Sequence, residues 1–283
     1  VKENYRIWLV AIALILTGSL APASAAASPA SLASEAPLVA SDASKDVLFQ
    51  ESTITALMQG VFNGSMTFSE LGKHGDFGIG TFEGLDGEMV ELDGQFYQVK
   101  ADGKVYPVNG SMETPFADVT FFEPDLKISI NNSANQTELQ KYLEAQIPSP
   151  NIFYAIRIDG TFDYVKTRSV PAQNPPYPTL TEAVAHQSVF EFHNQSGTIV
   201  GFWSPAYANG ANVPGYHFHF LNENRTAGGH VLDFTIKNAS VAIDYTPQFF
   251  MNLPADKDFL QEDLTGSKEE DLQKVESNPD KAK

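Results

Sequence analysis

The sequence contains no cysteine, which removes disulfide bonds, thiolate metal sites and a cysteine nucleophile together. Packing has to hold the chain. Basic residues are scarce as well, 18 Lys and Arg against 35 Asp and Glu, for a formal charge of −17. Phosphate backbones and anionic bilayers are bound by clustered cations, so nucleic acid is excluded as a natural partner, and the acidity reads as surface solubility. Histidine occurs only six times, so the placement of each one carries information.

No segment beyond the first residues is apolar enough to span a membrane. At the start, Lys2 and Arg6 flank or precede the apolar stretch Ile7 to Leu20, and Ala23-Ser24-Ala25 follow it. This is the layout of a signal peptide; the apolar stretch falls short of the ~20 residues needed to cross a bilayer. The expectation is a cleaved signal peptide over 1–25, a flexible Ala- and Ser-rich leader over 26–45, a secreted or extracytoplasmic protein, and no membrane association after cleavage.

What is present is a folded composition: 42% hydrophobic and 11% aromatic residues, with 20 Phe and 10 Tyr. Residues 47–62 carry apolar residues at mixed spacing and open with a short helix or a strand. From Ile79, the pairs Asp86-Gly87, Asp93-Gly94 and Asp102-Gly103 punctuate alternating segments, which predicts a β-meander. Asn135 or Thr137 caps a helix to about Ile147, with Leu139, Tyr142 and Leu143 on or near one face. Strand resumes over 152–165, a Pro-rich link covers 171–178, and a second helix is predicted over 181–190. Strands follow over 198–203, 216–221, 230–236 and 240–245, and the tail beyond Pro254 is acidic and helical, with Ser267 and Glu270 spaced as a capping box. The fold class is α/β (α+β): an N-terminal sheet domain over 46–165 and a C-terminal sheet domain over 166–283, both on mixed β-sheets with a few flanking helices.

The sharpest chemical signal is Gly215-Tyr216-His217-Phe218-His219-Phe220-Leu221, followed by Gly228-Gly229-His230. On a strand, residues two apart share a face, so His217 and His219 point together while the aromatic residues fill the other side. A reversal over 222–229 brings His230 alongside, and three imidazoles then converge as a catalytic zinc site with an open position requires. Zn²⁺ leads, although copper, nickel and iron also accept imidazole.

This stretch, together with Thr81-Phe82-Glu83-Gly84-Leu85-Asp86-Gly87-Glu88-Met89 and Tyr164-Val165-Lys166-Thr167-Arg168, resembles the acetolactate decarboxylases from about residue 46 onward. The resemblance implies zinc held by His217, His219 and His230, with Arg168, Glu88 and Glu276 at the site and Thr81 as a further lining residue. It also implies the substrate, 2-acetolactate, decarboxylated to acetoin and carbon dioxide without an organic cofactor. The implied chemistry suits the residues: zinc and the Arg168 guanidinium stabilise an enediolate, and a glutamate protonates one face of it. A homodimer is left open.

Two rival readings come from the residues alone. His217-x-His219 followed by Glu223 echoes a cupin-like metal dioxygenase, although the third histidine lies in the adjacent turn-strand unit and not in a distant motif. An exported, non-enzymatic metal-binding or carbohydrate-binding β-rich module would instead close its metal with four protein ligands.

Overall fold

A computed structural model describes residues 46–276; the expected signal peptide and leader lie outside the described residues. In chain order the elements are β1 (Val47–Glu51), α1 (Ile54–Met58), β2 (Met66–Thr67), α2 (Phe68–Leu71), β3 (Phe77–Thr81), β4 (Glu88–Leu92), β5 (Gln95–Val99), β6 (Val105–Pro107), β7 (Glu113–Thr114) and β8 (Ala117–Thr120). They continue with β9 (Leu126–Ile130), β10 (Ala134–Asn135), α3 (Gln136–Glu144), β11 (Phe153–Ser169), α4 (Leu180–Val184), β12 (Ser188–Ser204), β13 (Gly215–Asn222), β14 (Gly228–Thr246), β15 (Gln248–Asn252), α5 (Lys257–Gln261) and α6 (Glu269–Glu276).

The predicted meander forms as β3-β4-β5-β6. Asp93 and Gly94 both take positive φ, 54° and 72°, the backbone that a two-residue turn needs to match strand twist. These strands belong to a seven-stranded sheet ordered β15-β1-β8-β3-β4-β5-β6, in which β15 joins β1 in parallel and the remaining pairs are antiparallel. The second sheet runs β10-β14-β11-β12-β13, with β9 on β14. Because β14 pairs with β13 as well as with β11, the four long strands β14, β11, β12 and β13 close into a ring. The mixed, sheet-dominated α+β class is as expected.

Three details differ from the sequence reading. The helix expected over 181–190 stops at Val184, because Ser188-Val189-Phe190-Glu191-Phe192 alternates and pairs along β11. Tyr142 is 45% exposed, so α3 buries only Leu139 and Leu143 from the capping box of Asn135 and Glu138. The expected domain boundary at 165/166 falls inside β11, which is paired on both sides across that point, and all described residues lie in one compact unit.

Side-chain alternation sets the layers. Phe162, Val165, Phe218, Phe220 and Phe234 form one core together with Leu139 and Leu143 of α3. The opposite face of the ring presents Val200, Phe202 and Leu221 to Ile79, Val90 and Leu92 of the first sheet. Each of these buried side chains contributes roughly 1.5–3 kcal/mol, so the two sheets are held face to face. Helices α1, α4 and α6 form a separate apolar cluster with Phe116 and Val170.

Three buried carboxyls have no part in the histidine cluster. Burial pushes Asp118 up to about 7, opposed by the hydrogen bond from Asn212. Burial pushes Asp244 up to about 8, opposed by the Glu123 amide and reinforced by Asp125, Asp46 and Glu123, and pushes Glu91 up to about 9, reinforced by Asp76. With folded values above the ordinary 3.8 and 4.5, the folded chain keeps these protons to higher pH than the unfolded chain does. The associated stability is complete below the ordinary values and is lost as pH rises through the folded ones. The three buried histidines, held below their usual value, oppose this loss up to about pH 6.5, so the thermal midpoint should fall between about pH 6.5 and about pH 9, by ~2–4 °C for each kcal/mol lost in a domain of this size. Asp118→Asn should flatten the slope; thermal melts across that range with a level midpoint, or with the same slope in the variant, would contradict the assignment.

Candidate active site

On β13, His217, His219 and Leu221 share one face, while Phe218 and Phe220 enter the core on the other. The reversal into β14 is made by Arg225 at φ 56° and by the Asn222 side chain, which accepts from the Thr226 and Ala227 amides at 2.8 and 3.2 Å. His230 then lies directly opposite His219. On its other side His230 is opposite Arg168 of β11. Directly opposed residues share a face, so Arg168, His230 and His219 stand in a row across three strands, with His217 beside them. Gly229 between these strands has φ 130°, and a Cβ there would meet the Arg168 carbonyl oxygen at 2.4 Å. Glycine is what lets β14 approach β11 at that point.

The three imidazoles are buried, with ring centroids 5.2, 5.1 and 5.4 Å apart. One ligand atom from each lies within 4.8 Å of the others. Burial pulls His217 down to about 3, with Arg168 adding to the effect. It also holds His219 and His230 well below the usual histidine value. All three rings are therefore neutral, the form that binds metal. His219 Nδ1 donates to the Met89 carbonyl at 2.7 Å, which fixes the tautomer and leaves Nε2 as the ligating atom. His217 Nδ1 and His230 Nε2 are buried without a hydrogen-bond partner. Uncompensated ring nitrogens of this kind are costly unless something accepts them, and the neutral three-nitrogen set fits a divalent first-row ion.

Two carboxylates reach this cluster from distant parts of the chain. Glu88 Oε2 is 3.8 Å from His219 Nε2. Glu276 Oε2 is 3.8 Å from His217 Nε2 and 3.6 Å from His230 Nε2, while its Oε1 is 3.7 Å from Arg168 Nη2. Burial raises Glu88 to about 7, with Arg168 opposing and Glu276 reinforcing; burial also raises Glu276, again opposed by Arg168. Arg168 is 5% exposed, and its Nε and Nη1 have no hydrogen-bond partner. The Glu88 turn is braced from outside the site: Gln98 Nε2 donates to the Asp86 carbonyl at 2.7 Å, and Lys100 Nζ lies 2.5 Å from Asp86 Oδ2.

These groups surround a small cavity of about 40 Å³. All seven residues singled out in the sequence line it: His217, His219, His230, Arg168, Glu88, Glu276 and Thr81. Thr81 differs from the rest in its bonding, since its hydroxyl donates to the Gly87 carbonyl at 2.7 Å. It ties down the turn that carries Glu88, so the structure places it as a support of the site more than as a proton donor to a ligand. The sequence reading missed the apolar wall, which is Leu57, Leu85, Phe116, Val170 and Leu180. No spacing rule could have found these residues, because they come from five separate segments.

Comparison with known proteins shows the family. The sequence profile of the alpha-acetolactate decarboxylases matches residues 48–266, ending before α6. A relative of that name from Methanosarcina mazei is 55% identical over 236 residues, 83% of this chain and 82% of its own. Another from Brevibacillus brevis is 43% identical over 269 residues, 93% of this chain and 94% of its own. The crystal structure of alpha-acetolactate decarboxylase from Bacillus subtilis strain 168 superposes with a TM-score of 0.81 at 43% identity, covering 82% of this chain and all of that one. With the profile spanning most of the chain and the solved fold retained along its whole length, this chain belongs to the alpha-acetolactate decarboxylase family, a family of carboxy-lyases.

Proposed function

We propose that this chain decarboxylates 2-acetolactate to acetoin with one zinc ion held by His217, His219 and His230. The observation that carries the reading is the cluster of three neutral, buried imidazoles beside an Arg168 guanidinium with unused donors, all lining one small cavity. Bound there, zinc supplies Lewis acidity toward the charge that develops on the substrate oxygens. Zinc is preferred because three neutral imidazoles with room for a further ligand suit it.

The chain's own residues account for the remaining steps. The bond from C2 to the carboxylate breaks, carbon dioxide leaves, and the electron pair moves toward the neighbouring ketone. Arg168 offers a fixed, desolvated guanidinium to the carboxylate before that step and to the anionic oxygen after it. One proton must then be added at C2, and Glu88 and Glu276, approaching from different chain segments, are the carboxyl groups positioned to hold or deliver it. The apolar wall of Leu57, Leu85, Phe116, Val170 and Leu180 shields the anion from bulk water and favours small alkyl substituents.

The test is acetoin formation from racemic acetolactate by the purified chain, before and after treatment with a chelator, with elemental analysis on the same sample. Acetoin of a single hand, one zinc per chain, and activity lost to chelation and restored by zinc are the expected results. Oxygen consumption with bound iron would instead favour the dioxygenase reading.

A further inference from the structure

Glu276, the last described residue, reaches the site on α6. The residues joining α5 to α6 (262–268) form no regular element, and α6 itself has eight residues, of which Leu272 and Val275 are the buried ones. They are 5% and 2% exposed. Residues three and four apart on a helix share a face, so Leu272 aligns with both Val275 and Glu276. The two apolar side chains pack into one cluster with Leu180, Ala183 and Val184 of α4 and Leu57 of α1. Leu180 and Leu57 also line the cavity. The outer part of α6 adds little to docking: its hydrogen bond from Asn209 Nδ2 to Glu269 Oε2 is exposed and long, at 3.4 Å.

We propose that α6 is a clasp, in which Leu272 and Val275 seat on α4 and thereby set the position of the Glu276 carboxylate beside His217, His230 and Arg168. They are positioning residues, acting through Glu276. The inference rests on the reading that Glu276 serves the decarboxylation, and it adds that the cavity wall and the anchor of the carboxylate are the same apolar surface. A gap opened under Leu272 would let the helix shift or detach. A displacement of about 1 Å at a reacting group can cost about a hundredfold in rate.

The experiment uses the full, zinc-loaded chain and three measurements on each variant: zinc content, hydrogen exchange of residues 269–276, and kcat with KM. In Leu272→Ala, and more mildly in Val275→Ala, α6 should lose protection while the long strands keep theirs. Zinc should be retained and kcat should fall by roughly tenfold to a hundredfold, with KM little changed. Leu272→Met, which refills the same space, should restore both protection and turnover. Leu143→Ala, a comparable deletion in α3, should leave α6 protection and kcat unaltered. The proposal is overturned if Leu272→Ala keeps wild-type protection in α6, if protection is lost while kcat is unchanged, or if Leu143→Ala lowers kcat equally. A wild-type chain that makes no acetoin would overturn the proposed function instead, and the exchange pattern would still decide whether Leu272 docks α6.

Discussion

His219→Ala is expected to remove the metal and the activity together while leaving the fold in place. His219 is the most constrained of the three imidazoles: it is 1% exposed, its Nδ1 is committed to the Met89 carbonyl, and it lies opposite His230 across the β13–β14 pair. Two histidines cannot make the three-nitrogen set, so metal affinity should drop by more than the roughly 10–100-fold that loss of an outer hydrogen-bond partner costs. The variant also leaves the Met89 carbonyl without its donor, at about 1–3 kcal/mol for an unsatisfied buried group. A lower thermal midpoint is therefore expected alongside a wild-type circular dichroism spectrum. Elemental analysis and the acetoin assay decide the matter: full zinc occupancy in this variant would remove the histidine cluster as the metal site.

Arg168→Lys should give the second large effect with the opposite metal result. Arg168 lies opposite His230 on the adjacent strand but offers no metal ligand, and its Nε and Nη1 have no partner in the protein. A lysine ammonium keeps the charge but cannot present a planar pair of donors. Removing one preorganised donor to developing negative charge costs about 10²–10³-fold in turnover, and a loss of that order is expected in kcat/KM with zinc retained. Turnover near wild type would reduce Arg168 to a neutralising partner for Glu276.

These expectations draw on features that were legible to different degrees. The histidine hairpin was readable because strand periodicity is local: His217 and His219 must share a face whatever the rest of the chain does, and the polar, Gly-containing turn limits where His230 can fall. The meander was readable for the same reason, from its Asp-Gly turns. Helix α4 was overestimated because the short alternation from Ser188 to Phe192 was read as a continuation of the helix before it, whereas in the fold those residues extend a long partner strand for β11. The two-domain division failed to anticipate that one 17-residue strand, β11, would run through the expected boundary.

By itself the sequence determined the candidate ligand type, the face on which two of those histidines stand, the absence of thiol chemistry and, through its motifs, the family. Those properties depend on residue identity and on the two-residue repeat of a strand. Only the tertiary structure decided that Arg168 and His219 flank His230, that Glu88 and Glu276 meet across the same cavity, that Thr81 braces a turn, and that Leu57, Leu85, Phe116, Val170 and Leu180 wall the site. Apart from the Thr81 bond to Gly87, each of those is a contact between segments far apart in the chain, set by the closure of β14 onto both β11 and β13 and by the apolar face that draws α6 onto α4. No local pattern encodes such a contact, because its energy exists only once the intervening chain has been buried.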